Sequence, residues 1–368
     1  MIYCLLFIVA ICFVGCGATK TDERELDVCF NIDSFDCLDD SVKLSDLFTE
    51  FKLVKLETND ECLINGDGKI VKCDSVYYIQ SINEIFKFDN DGKFIGKLAS
   101  VGDGPQNYIK LYDFDVVARD DTNELWVLSY HDIKVYDADN LNYKYMIDFK
   151  EPVSQFKYVN DSTIFVVTPN EVTFKIFNIQ GNIRKEFMKK DLANSCRKKA
   201  QFFQYNGNLL YQIDNTQEAV IYNIKSDSLY YINLFFIDNV LTREKNEEYC
   251  NKYGYFDGVM KVLESNICLS SIKNIEDKIV MSLMGPQRKR AFVLYFDDKT
   301  FAYEYDMETS VVYNDIIPTH SLLFLSTIIN TESDDGVIMM IYPDLIKKEV
   351  GILEDENPYL LDVTNIGL

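Results

Sequence analysis

Six times along the chain a polar turn runs into an alternating apolar strand, and this repeat constrains the fold more than any other feature. The copies are Asp74 to Ile79, Asn123 to Leu128, Asp161 to Val166, Gly207 to Tyr211, Asp277 to Met281 and Asp335 to Met339. A second signature, a strand ending in an aromatic and followed by a polar turn and another strand, trails each of the first five. Its anchors are Phe88, Tyr136, Phe177, Tyr222 and Tyr295. Turn residues between β-branched and aromatic runs mark hairpins. Two hairpins per unit make a four-stranded antiparallel blade, and a repeat of this length signals a propeller or solenoid. The fold class expected is therefore all-β, a six-bladed β-propeller. The competing architecture, two β-sandwich domains, leaves the six-fold count as an accident.

The sixth unit has a third strand in Pro358 to Val363 but no fourth before Leu368. Phe51 to Leu56 is an alternating strand that belongs to no unit. Paired beside the last blade, this N-terminal strand would close the ring and cover an edge that open sheets must protect. Residues 45–368 are thus expected to be one propeller. The anchors are spaced by 48, 41 and 45 residues and then by 73 from Tyr222 to Tyr295. The excess falls at about 238–264, where Leu241 to Tyr249 has helix-forming content behind a capping Thr242, which predicts a helical insertion.

Residues 1–15 carry no charged side chain and are too short to span a bilayer, which takes about 20 apolar residues. They read as a lipoprotein signal peptide, with Phe13-Val14-Gly15-Cys16 resembling a lipobox. Lipidation, palmitate included, is expected at Cys16, so that acyl chains tether the protein to a membrane. Residues 16–44, acidic and aperiodic, read as a tether. The address expected is the cell envelope, as an outer-membrane lipoprotein facing the periplasm or the surface. Seven cysteines would remain in the mature chain after Cys16, and Cys73 and Cys268 sit in apolar strands, so buried free thiols are expected, with a Cys29 to Cys37 bridge as the alternative. A net charge of −22 repels nucleic acid, which excludes DNA and RNA as partners.

Gly102-Asp103-Gly104-Pro105-Gln106-Asn107-Tyr108, followed by Asp113-Phe114-Asp115, resembles the GxGPGEY loop and strand of the six-bladed β-propeller lipoproteins of Bacteroidetes, relatives of NHL-type and TolB-type propellers. Leu44 to Phe48, Lys55-Leu56-Glu57-Thr58 and Glu356-Asn357-Pro358-Tyr359-Leu360 are similar to that family's entry and closing segments. Gln106-Asn107 replaces the family's Gly-Glu. Glycine and proline at such a crossing serve a tight backbone path, and loops on a rigid scaffold also carry binding groups. Gly102, Gly104, Pro105, Tyr108, Asp113 and Asp115 are accordingly the candidate ligand contacts.

No catalytic residue and no cofactor follow from the sequence. The chain has two histidines, His131 and His320, and no G-x-S-x-G, P-loop or H-E-x-x-H motif. Asp132, Asp137 to Asp139 and Asp297-Asp298 fall at hairpin turns, where Asp bonds its own backbone, so no metal site is assigned. Trp126, Tyr130 and Tyr108 are the aromatics suited to stacking on a sugar. The function expected is a membrane-anchored, non-catalytic binding or scaffolding propeller for a glycan, peptide or envelope protein. The alternatives are a funnel enzyme such as a metal-dependent lactonase or lyase, and a purely structural envelope component.

Overall fold

In the computed structural model the described residues are 42–66, 68–169, 174–187, 202–205, 207–212, 216–234, 239–275, 278–285, 290–296, 299–305, 312–313, 315–316, 331–332, 336–342 and 356–366. The predicted hairpins assemble in sequence order into antiparallel four-stranded blades. Blade one comprises Ile70–Cys73, Val76–Ser81, Glu84–Asp89 and Phe94–Leu98; blade two Asp113–Arg119, Thr122–Ser129, Asp132–Asp137 and Tyr143–Asp148. Blade three comprises Gln155–Asn160, Thr163–Val167, Phe174–Phe177 and Ile183–Glu186; blade four Phe202–Tyr205, Asn208–Gln212, Glu218–Asn223 and Ser228–Asn233. Blade five comprises Cys268–Ile275, Lys278–Met284, Arg290–Phe296 and Lys299–Tyr305.

Where the sequence predicts six four-stranded blades, the described residues form five. The remaining sheet is three-stranded, in the order Phe48–Lys55, Tyr359–Ile366, Val337–Ile341. The segment that would precede Val337 as a further strand falls largely at 317–330, outside the described residues. Thr331–Glu332 runs parallel to Ile70 and Val71 of blade one. The two ends of the chain share the three-stranded sheet, with Phe48 opposite Ile366 and Lys55 opposite Tyr359. Val42–Lys43, at the end of the segment read as a tether, pairs with Val312–Tyr313. The signal segment, Cys16 and His320 lie outside the described residues.

The turns follow from side-chain chemistry. Asp89 Oδ1 accepts from Asp91 N and Lys93 N at 2.9 Å each, and Asp137 Oδ1 from Asp139 N and Asn140 N at 3.0 Å each. Asn178 Oδ1 takes the same role for Gln180 and Asn182. These are Asx turns, which explains the carboxylates there without invoking a metal. Asp297-Asp298 falls outside the described residues. Middle strands bury both faces, as in Thr163–Val167, and five of the seams between successive sheets, from the three-stranded sheet round to blade five, are separate apolar clusters.

Polar links cross these five seams beside the first strands. Lys72 meets Asp362 at 2.7 Å between blade one and the three-stranded sheet, and Tyr77 donates to the same carboxylate. Lys69 meets Asp113 at 2.9 Å between blades one and two. Lys157 meets Asp115 at 2.9 Å, and Phe156 N donates to Asp113, between blades two and three. Tyr211 donates to Gln155 at 2.9 Å, joining blades three and four. Gln212 and Lys273 donate to the carbonyls of Leu269 and Phe202, joining blades four and five.

Asn357 secures the join of the chain ends. Fully buried, it donates from Nδ2 to the carbonyls of Glu57 and Cys62, accepts from Ile64 N at 2.7 Å, and donates from its backbone to Thr58. Two glycines bring neighbouring units together. Gly92 (φ +83°) and Gly181 (φ +75°) lie so close to the carbonyls of Lys55 and Asp148 that an added Cβ would stand 2.3 and 2.2 Å from the oxygens.

Between blades four and five, helices Arg243–Tyr253 and Tyr255–Ser265 occupy the segment of excess length. Thr242 caps the first by accepting from Lys245 N, and Gly254 separates the two. Cys250 is disulfide-bonded, with its partner outside the described residues, which corrects the expectation of free thiols at this position. Cys62 and Cys268 are buried and Cys73 is half-buried, and none of the three is in a disulfide.

Gly181→Ala combines a forced positive φ with a backbone clash, and we expect it to cost about 1–3 kcal/mol, a range set by strain at such positions. Asn357→Ala leaves buried backbone groups unpaired and should cost on the order of 2–4 kcal/mol. Urea unfolding checks both, with Gly66→Ala, which meets no neighbouring atom, as a control for the effect of positive φ alone.

Candidate functional site

At one end of the blades the second strand turns into the third, and the fourth strand of each blade leads to the next. On blades one and two the former connections are two-residue loops, Ile82-Asn83 and Tyr130-His131, set by the pairs Ser81 with Glu84 and Ser129 with Asp132. Ile82 and Tyr130 have φ of +54° and +60°, while the residues after them do not have positive φ. That first position of a tight hairpin favours glycine, so a β-branched and an aromatic residue there are held under strain.

The Gly-Pro loop runs between these two turns. Gly102 N donates to Tyr108 O, Tyr108 N to Ser100 O, and Asn107 N to Gly104 O. A Cβ on Gly102 would stand 2.8 Å from Asn107 Nδ2, and one on Gly104 would stand 3.4 Å from the Asn107 amide. The glycines therefore make room for the Asn107 side chain. Lys134 donates to the Pro105 carbonyl at 3.2 Å and Tyr136 to the Gln106 carbonyl at 2.7 Å, which staples the loop to blade two.

Three candidate contacts are thus engaged inside the fold. Tyr108 is 1% exposed and its hydroxyl donates to Asn83 O at 2.7 Å, with burial pushing its pKa well above the ordinary tyrosine range. Asp113 and Asp115 are buried and held by Lys69 and Lys157. Trp126 is equally enclosed: its Nε1 donates to Glu124, which also accepts from Lys144 and Tyr145. Burial alone would raise the Glu124 pKa, but these three donors hold it below the ordinary range.

What the loop face leaves open is different. Tyr130 and Tyr112 are half-buried rings 5.4 Å apart at 34°, and the exposed His131 ring stands edge-on to Tyr130 at 4.5 Å. The Lys110 ammonium lies 5.2 Å from the Tyr112 centroid. Ile109, whose N–H donates to Ser129 Oγ, is 71% exposed, and Ile82 is 69% exposed. The turn carrying Ile82 is bound to the same loop through Asn83, which accepts from Leu111 N. Sequence reasoning singled out Tyr130 but missed Tyr112, Ile109 and Ile82, because an apolar residue in a strand-rich sequence carries no mark of exposure.

A second concavity of about 360 Å³ opens where the chain ends meet, lined by Lys55, Glu57, Thr58, Asp91, Lys93 and Glu356 among others. Lys55 lies 3.4 Å from Glu356 and over the Tyr359 ring, so its charges largely serve the join. Among the described residues no three His, Cys, Asp or Glu side chains stand close enough to hold a metal ion.

This architecture defines an all-β propeller of four-stranded antiparallel blades with an elaborated loop face. The chain belongs to the family described as Domain of unknown function (DUF4934), whose model matches residues 28–366. It is similar in structure to a protein described as exported, from Bacteroides fragilis, at a TM-score of 0.68 and 16% identity over 92% of this chain and 99% of that one. A member of the DUF4221 family from Bacteroides vulgatus matches at a TM-score of 0.55 and 9% identity, over 86% of this chain and 98% of that one. At these identities the likeness shows the fold alone. No curated protein matches the chain.

Beneath the open rings, Asp132 supplies a titration test. Burial pushes its carboxyl up, and Asp148 opposite it in register adds to the shift against the pull of Lys134, 3.5 Å away, and of His131. A raised carboxyl favours the folded state when protonated, so this contribution is complete below the unfolded value of about 3.9 and is lost as pH rises through the folded value. Asp132→Asn should therefore raise Tm at pH 7 relative to the parent, with the gap closing towards pH 4; calorimetry at both pH values checks this.

Proposed function

We propose that the protein is a membrane-anchored binding propeller of the cell envelope, which presents the loop face of blades one and two to a ligand. The single observation that carries this reading is the open surface of Tyr112, Tyr130, His131, Ile109 and Ile82 on connections fixed to rigid sheets. Two of these side chains sit at strained positions where glycine would relieve the backbone, and such strain concentrates at functional sites. Loops on a rigid scaffold are where binding groups are carried. The inner-strand carboxylates Asp113 and Asp115, which a funnel enzyme would need, are committed to lysines of adjacent blades.

The envelope address rests on the signal-like residues 1–15, the lipobox at Cys16 and the fold shared with a Bacteroides protein described as exported. Among the described residues no helix is long and apolar enough to cross a membrane; the attachment in this reading is lipid on Cys16. We also read the three-stranded sheet as the sixth blade, whose outer strand Phe48–Lys55 comes from the N-terminal side and closes the ring.

Two measurements test this reading. In the native host, the full chain should sediment with membranes, and Cys16→Ser should move it to the soluble fraction; retention of the variant on membranes would refute the lipid anchor. The immobilised mature chain should retain material from solubilised envelope extract, polysaccharide or protein, and Ile109→Asp combined with Tyr130→Ala should abolish this. Equal retention by parent and variant would remove the loop face from consideration.

A further inference from the structure

We infer that Tyr112, Tyr130 and His131 form the floor of a subsite for a neutral glycan; this rests on the binding reading above and names its ligand class. Two groups of tyrosines in this fold contrast. Tyr77, Tyr78, Tyr108, Tyr136, Tyr145, Tyr158 and Tyr222 are buried or half-buried, and each hydroxyl donates to a carboxylate or carbonyl of the fold. Tyr112 and Tyr130 make no such bond among the described residues; the Tyr112 ring packs on the apolar cluster between blades two and three and meets Tyr130 and the Lys110 ammonium, and the Tyr130 ring meets Tyr112 and His131. Their hydroxyls are therefore open to an outside partner while their rings offer an apolar surface. Pyranose sugars ask for this combination, because one face of the ring is lined by C–H groups and its rim by hydroxyls. Tyrosine supplies both contacts from one rigid side chain, with two torsions to order.

The surroundings fit the same ligand. The Lys110 ammonium, over the Tyr112 ring, and the exposed His131 imidazole, edge-on to Tyr130, add polar groups beside the rings. Ile109, next to them and 71% exposed, offers a contact for the methyl of an acetamido or deoxy sugar. The chain's net charge of −22 works against uronate or sulfated glycans, which directs the assignment to neutral ones. Position also matters. The Tyr130 carbonyl accepts from Val153 N at 2.6 Å and the His131 carbonyl from Phe149 N at 2.9 Å, so the turn is fixed before any ligand arrives. A preformed platform spares the ordering cost of binding.

The strained turn gives a variant that separates folding from binding. Tyr130→Gly puts the favoured residue at φ +60°, so its Tm should be no lower than the parent's while the platform is lost. The mature chain is titrated by calorimetry with neutral oligosaccharides of glucose, mannose and N-acetylglucosamine, and with polygalacturonate and heparin fragments. We expect a neutral oligosaccharide to bind with a Kd below 1 mM (about −4 kcal/mol), and Tyr130→Gly and Tyr112→Ala each to weaken it at least tenfold. Absence of any neutral binding, unchanged affinity in either folded variant, or preference for the acidic fragments overturns the proposal. A parent that ignores all glycans but retains an envelope protein through Tyr130 overturns the ligand class and leaves the binding reading standing. A parent that retains nothing refutes both.

Discussion

The seams between blades, more than the blades themselves, hold this molecule together. A four-stranded sheet satisfies its own middle strands, but apolar packing between two such sheets is non-directional and tolerates sliding. Register across five of the seams is set instead by a buried or half-buried polar link near the first strand: Lys72 to Asp362, Lys69 to Asp113, Lys157 to Asp115, Tyr211 to Gln155, and Gln212 and Lys273 to carbonyls. Asp113 serves two seams at once, since one oxygen meets Lys69 and the other accepts from Phe156 N. A buried pair of this kind is a weak source of net stability, because desolvation offsets much of the attraction, but a misplaced partner leaves a bare charge in the core. The links therefore penalise wrong arrangements of the blades more than they strengthen the right one.

The backbone treats its glycines and its strained residues in opposite ways, and the contrast separates structure from function. Gly92 and Gly181 stand at positive φ against a carbonyl of the neighbouring sheet, so packing admits nothing larger. Gly102 and Gly104 make way for Asn107, which the sequence pairs with them where the resembling family has Glu. Ile82 and Tyr130 also have positive φ, but their side chains are open to solvent or half-open, and no packing demand excludes glycine there. Strain that architecture does not require points to the side chain itself.

The architecture was legible in the sequence to the extent that it is periodic. Hairpins carry their own signals in Asp and Asn turns, and the partnership of Phe51 to Leu56 with Pro358 to Val363 followed from a strand without a blade. The count of six did not emerge as six four-stranded blades, because a turn signature reports one hairpin and says nothing of the strand before it. The site was less legible. Tyr108, Trp126, Asp113 and Asp115 have the chemistry of ligand contacts, but the partners of Tyr108, Asp113 and Asp115, which are Asn83, Lys69 and Lys157, lie 25 to 44 residues away in sequence and only the fold brings them together. The bond from Trp126 to Glu124, two residues away along one strand, carried no sequence signal either, since same-face neighbours in a strand are as often apolar as paired.

Rigidity and exposure at the loop face come from the same bonds. Val153 N and Phe149 N, at the entry to blade three, donate to the carbonyls of Tyr130 and His131, while the Gly-Pro loop leaving blade one donates through Ile109 N to Ser129 Oγ. The turn of blade two is thus gripped from both neighbours, and the Tyr130 and His131 side chains make no hydrogen bond to the rest of the described fold. With the backbone closed in this way, His131, Ile109 and part of the Tyr130 ring stay open to solvent. A surface of this kind needs no conformational change to receive a ligand, so its affinity is set by the contacts it makes and not by the cost of forming it.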